Sequence, residues 1–376
     1  MTDIQIKDGE TLDEFIYRAG KLKESGESVA TWAEVALAAN ETGVEFTRES
    51  VRKRYYRMKM QKNEPPTEYA QQVVHDDHVA INRSNREFAR VYNFRERLIE
   101  ACKQVEPMKH STEKKYEPDK PRAIVAMLSD IHYGIEFDNR LGKYNTAIAA
   151  KRVMDYADYL VKLGLESGAD VVYVPLMGDM ISGVIKSTIR IENRESLVEQ
   201  ITGVAELIVC FLCILAVNFK YVHVYSVDGN HSRIDITADT TLRNERLDAI
   251  IMWYCKARLL SVDNITCHEL TLDQTVTYFD VFNKKYVCVH GDLDKSLQTS
   301  LVNLESILGF HIDYFLAAHT HVPEMRLERV GYYRNGCVCG TGDDYTARLR
   351  HSAPACQVAL LCDDTGVISV HPFTME

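Results

Sequence analysis

Residues 123–132, AIVAMLSDIH, set the pattern that decides the fold: a short, nearly unbroken apolar run that stops at a cluster of Asp, Asn, His or Gly. The pattern recurs four times. VVYVPLM at 171–177 stops at Gly178-Asp179, VHVYSV at 222–227 at Asp228-Gly229-Asn230-His231, YVCV at 286–289 at His290-Gly291-Asp292, and YFLAA at 314–318 at His319-Thr320-His321. Such runs read as strands buried on both faces. Helices are expected between them near 144–167, 194–217 and 243–260. Pro175 has no N–H to give to a ladder and predicts a bulge or a short strand. In layered α/β proteins ligands gather beyond the carboxyl ends of the strands, so five polar clusters placed there should converge.

The rest of the chain bounds the problem. Its 376 residues are 46% apolar and 26% charged, which excludes a disordered chain, a collagen-like fibre and a small stapled scaffold. At about 150 residues per domain, two or three domains are expected. The net charge of −10 excludes a uniformly basic nucleic-acid coat. It is unevenly spread: residues 1–120 hold 21 Lys and Arg against 22 Asp and Glu, and 121–376 hold 23 against 32, giving −1 and −9. No stretch is read as approaching the ~18 apolar residues of a membrane span, and the acidic start MTDIQIKDGETLDEF has no apolar signal core. A cytoplasmic protein is expected, in the host cytoplasm if phage-encoded, and no membrane partner. The ten cysteines read as reduced thiols; Cys337 and Cys339 are close together without partner ligands for zinc. No internal repeat is visible.

Ahead of the apolar runs lies a different texture. Residues 11–25 and 31–40 have helical spacing, the second opening on a Thr31/Glu34 capping box, with Trp32, Val35, Ala36 and Ala39 as its apolar face. A third helix is expected from Thr47, with Val51, Tyr55 and Met58 on one stripe and Arg48, Arg52, Lys53, Arg57 and Lys59 off it; residues 46–62 carry seven Lys or Arg and one acid. Three short helices with a basic third member resemble a helix-turn-helix, which contacts nucleic acid through that helix. The alternative is a solvated charged face. The expected division is a module at 1–65, a helical linker at 66–121, with Ile81, Phe88, Val91, Phe94 and Leu98 as a buried stripe, and a third domain at 122–376.

The chemistry of the five clusters is informative. Two carboxylates, an amide and four or five imidazoles make an N/O donor set without thiolate, suited to Mn²⁺, Fe²⁺ or Zn²⁺ more than to Ca²⁺. Seven donors exceed one ion's needs. Two ions about 3.5–4 Å apart, bridged by a carboxylate, clamp a phosphate for in-line attack by a metal-held hydroxide.

The order D-x-H, GD, GNH, H, H-x-H resembles the calcineurin-like metallophosphoesterase superfamily over roughly residues 122–325. The resemblance implies a four-layer α/β/β/α sandwich, with the last fifty residues completing its second sheet. Carried over residue by residue, it puts Asp130, His132 and His321 on one metal and Asn230, His290 and His319 on the other, with Asp179 bridging. It makes His231 the histidine that touches the scissile phosphate and protonates the leaving oxygen. Two divalent ions are implied, Mn²⁺ first, with Fe²⁺, Zn²⁺, Mg²⁺ or Ni²⁺ as alternatives. The sequence departs from the family at Ser182, where a second Asp is usual, and at Ser232, where an acid usually follows GNH. The second departure removes a partner that could orient and charge His231. Arg233 is a candidate ligand for a phosphate oxygen, or a surface arginine.

Flanking sequence favours a nucleic-acid substrate: the basic helix, and an insert after Asp179 carrying Lys186, Arg190 and Arg194. The arrangement is similar to phage and prophage phosphoesterases labelled DNA-repair nucleases, and more distantly to double-strand-break-repair nuclease subunits. Those subunits carry ATPase-binding helices after the core. Here 55 residues follow His321, so no obligate ATPase partner is expected. Three functions stay open in this order: a metal-dependent DNA or RNA nuclease, a phosphatase or phosphodiesterase on small phosphoesters, and a nucleic-acid-binding protein with a vestigial site. A homo-oligomer is compatible with each.

Overall fold

The apolar runs form strands that assemble into two sheets. The computed structural model describes residues 5–26, 28, 30–62, 100, 121–185, 187–234, 245–269, 272–294, 296–343, 346, 350 and 352–376. The chain folds as two units, Met1–Arg95 and Glu96–Glu376. The expected linker at 66–121, with its stripe from Ile81 to Leu98, lies outside the described residues apart from positions 100 and 121.

In the first unit, α1 (Leu12–Glu24), α2 (Trp32–Asn40) and α3 (Arg48–Gln61) enclose Phe15, Ile16, Trp32, Val35, Val51 and Tyr55. Capping boxes Thr11/Glu14 and Thr31/Glu34 start the first two helices. Each satisfies two backbone N–H groups that a helix start leaves without partners.

In the second unit, β1 (Ala123–Ala126), β4 (Val171–Met177), β5 (Tyr221–Val227) and β6 (Ile265–Cys267) run parallel. With β12 (Cys356–Asp363) and β13 (Gly366–Thr374), their sheet has the order β13-β12-β1-β4-β5-β6. The second sheet has the order β10-β11-β9-β8-β7 and contains β7 (Val276–Val281), β8 (Lys284–Val289), β9 (Tyr314–Ala317), β10 (Glu324–Leu327) and β11 (Gly331–Arg334). A small hairpin, β2 (Phe137–Asn139) and β3 (Gly142–Tyr144), stands apart.

Val125, Met127, Tyr225, Val227 and Leu360 of the first sheet meet Phe279, Tyr286, Cys288, Leu316 and Tyr333 of the second in one buried cluster. Tyr225 and Phe279 stack across it with ring centroids 4.4 Å apart. Three long helices lie outside the first sheet, α4 (Thr146–Ser167), α6 (Leu197–Asn218) and α7 (Asp248–Arg258), with the short α5 (Ser187–Glu192) between the first two in sequence. On the far side of the second, α8 (Leu297–Leu308) buries Leu301 and Leu304 against Val287, Phe315 and Ala317. The result is the expected four-layer α/β/β/α sandwich.

Three expectations are corrected. Pro175 causes no break: β4 pairs with β5 without interruption, including Pro175↔Tyr225. The missing N–H falls on the β1 side, where pairing stops at Val125↔Tyr173 and resumes at Leu128↔Leu176. Of the last fifty residues, β11 joins the second sheet as expected, whereas the closing strands β12 and β13 complete the first. Seven of the eight β12 residues are buried, so the strand takes an interior place beside β1. Finally, α6 is long and apolar enough to cross a membrane, with mean hydropathy 2.3, but 61% of that stretch is buried against its own domain. It packs beside α4, α7 and β5 as a core helix.

Candidate metal centre

All five strand-end clusters meet at the carboxyl ends of β1, β4, β5, β8 and β9. Left-handed backbone turns the side chains inward there. Asp130, His132, Asp179, His319 and His321 have φ between +49° and +72°, five of the seven non-glycine residues with positive φ among those described. Such a conformation costs about 1–3 kcal/mol per residue and persists where the surroundings over-determine it. The turns after β4 and β5 also approach unusually closely. A Cβ on Gly229 would lie 2.1 Å from Asp179 Oδ1, and one on Gly178 would lie 2.5 Å from Gly229 N.

Two donor groups result. In the first, His132 Nε2 and His321 Nε2 are 3.0 Å apart, with Asp130 Oδ1 3.5 Å from His321 Nε2 and 3.8 Å from His132 Nε2. In the second, His290 Nε2 lies 3.0 Å from Asp179 Oδ2, 3.2 Å from Asn230 Oδ1 and 3.2 Å from His319 Nδ1. Asp179 also lies within 4.8 Å of donor atoms of His132 and His231, and so reaches both groups. Asp130, His132, Asp179, His290 and His321 are all buried, and Asp130 Oδ1 accepts no hydrogen bond. Buried carboxylate oxygens facing imidazole nitrogens, one of them without a donor, are what a cation would satisfy. The residues fit divalent metal ions.

Charge in this cluster is held by mutual contact against burial. Burial pushes the Asp179 carboxyl up, but His290, His231 and His132 hold it well below the usual carboxylate range. Burial pushes the His290 imidazole down, and Asp179 outweighs it, raising it to about 10. His132 is lowered well below the ordinary value by burial and by its neighbours His231 and His321. A ligand imidazole is neutral, so a cation held by His290 and Asp179 would take the place of a proton.

Beside the donors, His231 and Arg233 line a cleft of about 90 Å³ with Asp179, Ile185, Asn230, His319 and His321. The His231 backbone N–H donates to Asp179 Oδ1 at 2.7 Å. Its ring is oriented by a group that the sequence does not advertise: Nδ1 lies 2.7 Å from the Ser182 carbonyl oxygen, which accepts from Nδ1–H and leaves Nε2 for the cleft. The acid missing at Ser232 is therefore not what orients this histidine. Ser232 Oγ donates to the Gly229 carbonyl instead. Arg233 Nε donates to the Asn230 carbonyl at 2.9 Å, fixing the guanidinium at the cleft.

A further residue escapes sequence reasoning. Asp248, the first residue of α7, is 4% exposed, and its Oδ2 accepts the backbone N–H groups of Asp179 at 3.2 Å and Gly229 at 2.8 Å. One carboxylate thus clamps the turns that carry Asp179 and Asn230, at the cost of burial that raises its pKa to about 6. Asn335 and Gln357 act similarly behind Asp130. Asn335 Nδ2 donates to Ser129 Oγ and Gln357 Oε1, which also accepts from Ser129 N–H. The signal for Asp248 in sequence is only an acid opening a helix.

The expected basic groups sort differently. On α3, Arg48 and Arg57 are exposed and Arg52 and Lys53 half-buried, whereas Lys59 is buried in an ion pair with Glu24. That pairing removes Lys59 from the outward-facing set, because its ammonium is turned onto α1 rather than away from it. In the insert, Arg190 is exposed, Arg194 lies 3.4 Å from Glu136, and Lys186 lies outside the described residues.

No protein-family model matches the sequence, and no curated protein matches it. Among solved structures the chain is similar to wild-type Vps29 complexed with zinc from Entamoeba histolytica, at 12% identity and TM-score 0.32, over 67% of this chain and 99% of that one. It is also similar to a conserved uncharacterized protein from Streptococcus pneumoniae described as a predicted phosphoesterase, at 12% identity and TM-score 0.28, over 67% and 98%. A third is a 5'-nucleotidase from Candida albicans, at 9% identity and TM-score 0.32, over 71% and 54%. At such scores these likenesses carry nothing about the site, which stands on its own geometry.

Proposed function

We propose that the chain is a metal-dependent phosphoester hydrolase of the calcineurin-like metallophosphoesterase type, and that its substrate is a phosphodiester of DNA or RNA. The observation that carries this reading is the position of Asp179, a buried carboxylate in reach of two separate N/O donor groups. Asp130, His132 and His321 would hold one ion, and Asn230, His290 and His319 the other. Two divalent ions so held, Mn²⁺ first among the candidates, supply Lewis-acid polarisation of a phosphoryl oxygen and acidify bound water.

The chain's own groups do the rest. Arg233, tethered through Nε, keeps its terminal nitrogens for phosphate oxygens in the cleft. His231, held through Nδ1, offers Nε2 to the departing oxygen as a proton donor. The basic face of α3, with Arg48, Arg52, Lys53 and Arg57, is the docking surface for the polymer. The test is incubation of the full chain and Mn²⁺ with labelled single- and double-stranded DNA, RNA, a cyclic dinucleotide and a phosphomonoester. Polymer cleavage supports the proposal. Turnover of small esters alone would move the substrate to nucleotides or other small phosphoesters, and no turnover of any would leave a binding protein with an idle site.

A further inference from the structure

Beyond the hydrolytic donors lies a second kind of donor set. After β11 the chain runs through Cys337-Val338-Cys339-Gly340, and the Val338 N–H donates to the Asp130 carbonyl at 3.0 Å. This places the segment directly under the turn that carries the first donor group. Cys337 and Cys339 are 1% and 3% exposed. Their sulfurs and a ring nitrogen of His321 all lie within 4.8 Å of one another. The Gly340 N–H donates to Cys337 Sγ at 3.2 Å, and the Cys337 and Cys339 sulfurs lie 3.6 and 3.5 Å from the Gly340 carbonyl oxygen. Sequence spacing alone supplies no third ligand for this pair; the fold brings His321 to it.

We propose that Cys337, Cys339 and His321 form a thiophilic cation site, suited to Zn²⁺, separate in donor chemistry from the N/O centre beside it. Zn–S bonds of about 2.3 Å and Zn–N bonds of about 2.1 Å set tetrahedral donors roughly 3.5–3.8 Å apart, so the three atoms need close by no more than about an ångström. Two sulfurs and one imidazole are a soft set that excludes Mg²⁺ and disfavours Mn²⁺, whereas the neighbouring oxygens and imidazoles accept both. Three protein donors leave a fourth position for an external ligand.

The two sets share His321, which also stands with Asp130 and His132. Filling the sulfur site therefore competes for, or bridges through, a ligand of the first N/O group. Excess Zn²⁺ should act against Mn²⁺ at this chain, and the effect should depend on the two thiols.

The site is tested with Co²⁺ as a spectroscopic stand-in for Zn²⁺, added to the reduced, metal-free full chain. Thiolate bonded to Co²⁺ absorbs in the near ultraviolet, which nitrogen and oxygen ligands do not reproduce. The wild type should show this absorption, the Cys337→Ser/Cys339→Ser variant should lose it, and Asp179→Asn should keep it. Retention in Asp179→Asn separates this site from the hydrolytic one, whatever the fate of the hydrolase reading. If the double variant does not fold, Cys339→Ser alone should halve the absorption. Cobalt binding without thiolate absorption in the wild type, or absorption unchanged by the serine variants, overturns the proposal.

Discussion

Asp248 offers the sharpest perturbation, because its two effects pull in opposite directions. Truncation in Asp248→Ala leaves the N–H groups of Asp179 and Gly229 buried without an acceptor. At about 1–3 kcal/mol for each group, that costs about 2–6 kcal/mol. The carboxyl itself is unfavourable where it stands: burial raises its pKa from 3.8 to about 6. At about 1.4 kcal/mol per unit, the charged form costs the metal-free fold about 3 kcal/mol at pH 7. The two nearly offset, so Asp248→Ala should lose no more than about 3 kcal/mol of stability. Its metal affinity should nonetheless fall about 10–100-fold, since the turns bearing Asp179 and Asn230 lose their common clamp.

Asp248→Asn keeps an acceptor and drops the charge, which gives the sign of the pH dependence. The penalty is absent below the ordinary carboxylate range and fully present above pH 6. The stability gained by Asp248→Asn should therefore grow as the pH rises from about 4 to 7, up to about 3 kcal/mol. Chemical unfolding of the metal-free protein at several pH values, paired with Mn²⁺ titration at pH 7, measures both arms. Wild-type Mn²⁺ affinity in Asp248→Ala refutes the clamp.

Other predictions follow from single contacts. Gly229→Ala forces a methyl to within 2.1 Å of Asp179 Oδ1, and should cost about 1–3 kcal/mol and most metal binding, read by unfolding and metal titration. Replacing Arg48, Arg52, Lys53 and Arg57 with Ala should weaken polymer binding and reduce its log–log salt slope by up to about 4, while sparing hydrolysis of small esters. An unchanged slope in a salt-dependent DNA-binding titration would assign α3 to another role. Lys59→Ala should instead lower the stability of the first unit, because it leaves Glu24 without its buried partner, and this should show in its unfolding transition.

What was legible in the sequence is what residue type can encode. Apolar runs ending in Asp, Asn and His announced five strands and seven donors, and the Thr31/Glu34 box announced α2. The features that escaped depend on backbone rather than side-chain identity. The Ser182 carbonyl that orients His231 could belong to any residue. The positive φ of Asp130, His132, Asp179, His319 and His321 is uncommon for any non-glycine residue, and although Asp and His adopt it more readily than most, residue type alone does not announce it. Long-range pairing is equally silent: nothing in CQVALLCD says that it lies beside β1 rather than in the other sheet, and nothing in Lys59 says that it pairs with Glu24. Cys337 and Cys339 lacked a partner in sequence because His321 reaches them through the fold.

Sharing of Asp179 between two cation sites has a stoichiometric consequence. Calorimetric titration of the metal-free full chain with Mn²⁺, an ion that the sulfur donors disfavour, tests it most directly. Two Mn²⁺ ions should bind per chain in the wild type, and both should be lost in Asp179→Asn with the fold retained. A single ion in the wild type, or two ions bound undiminished by Asp179→Asn, would contradict it.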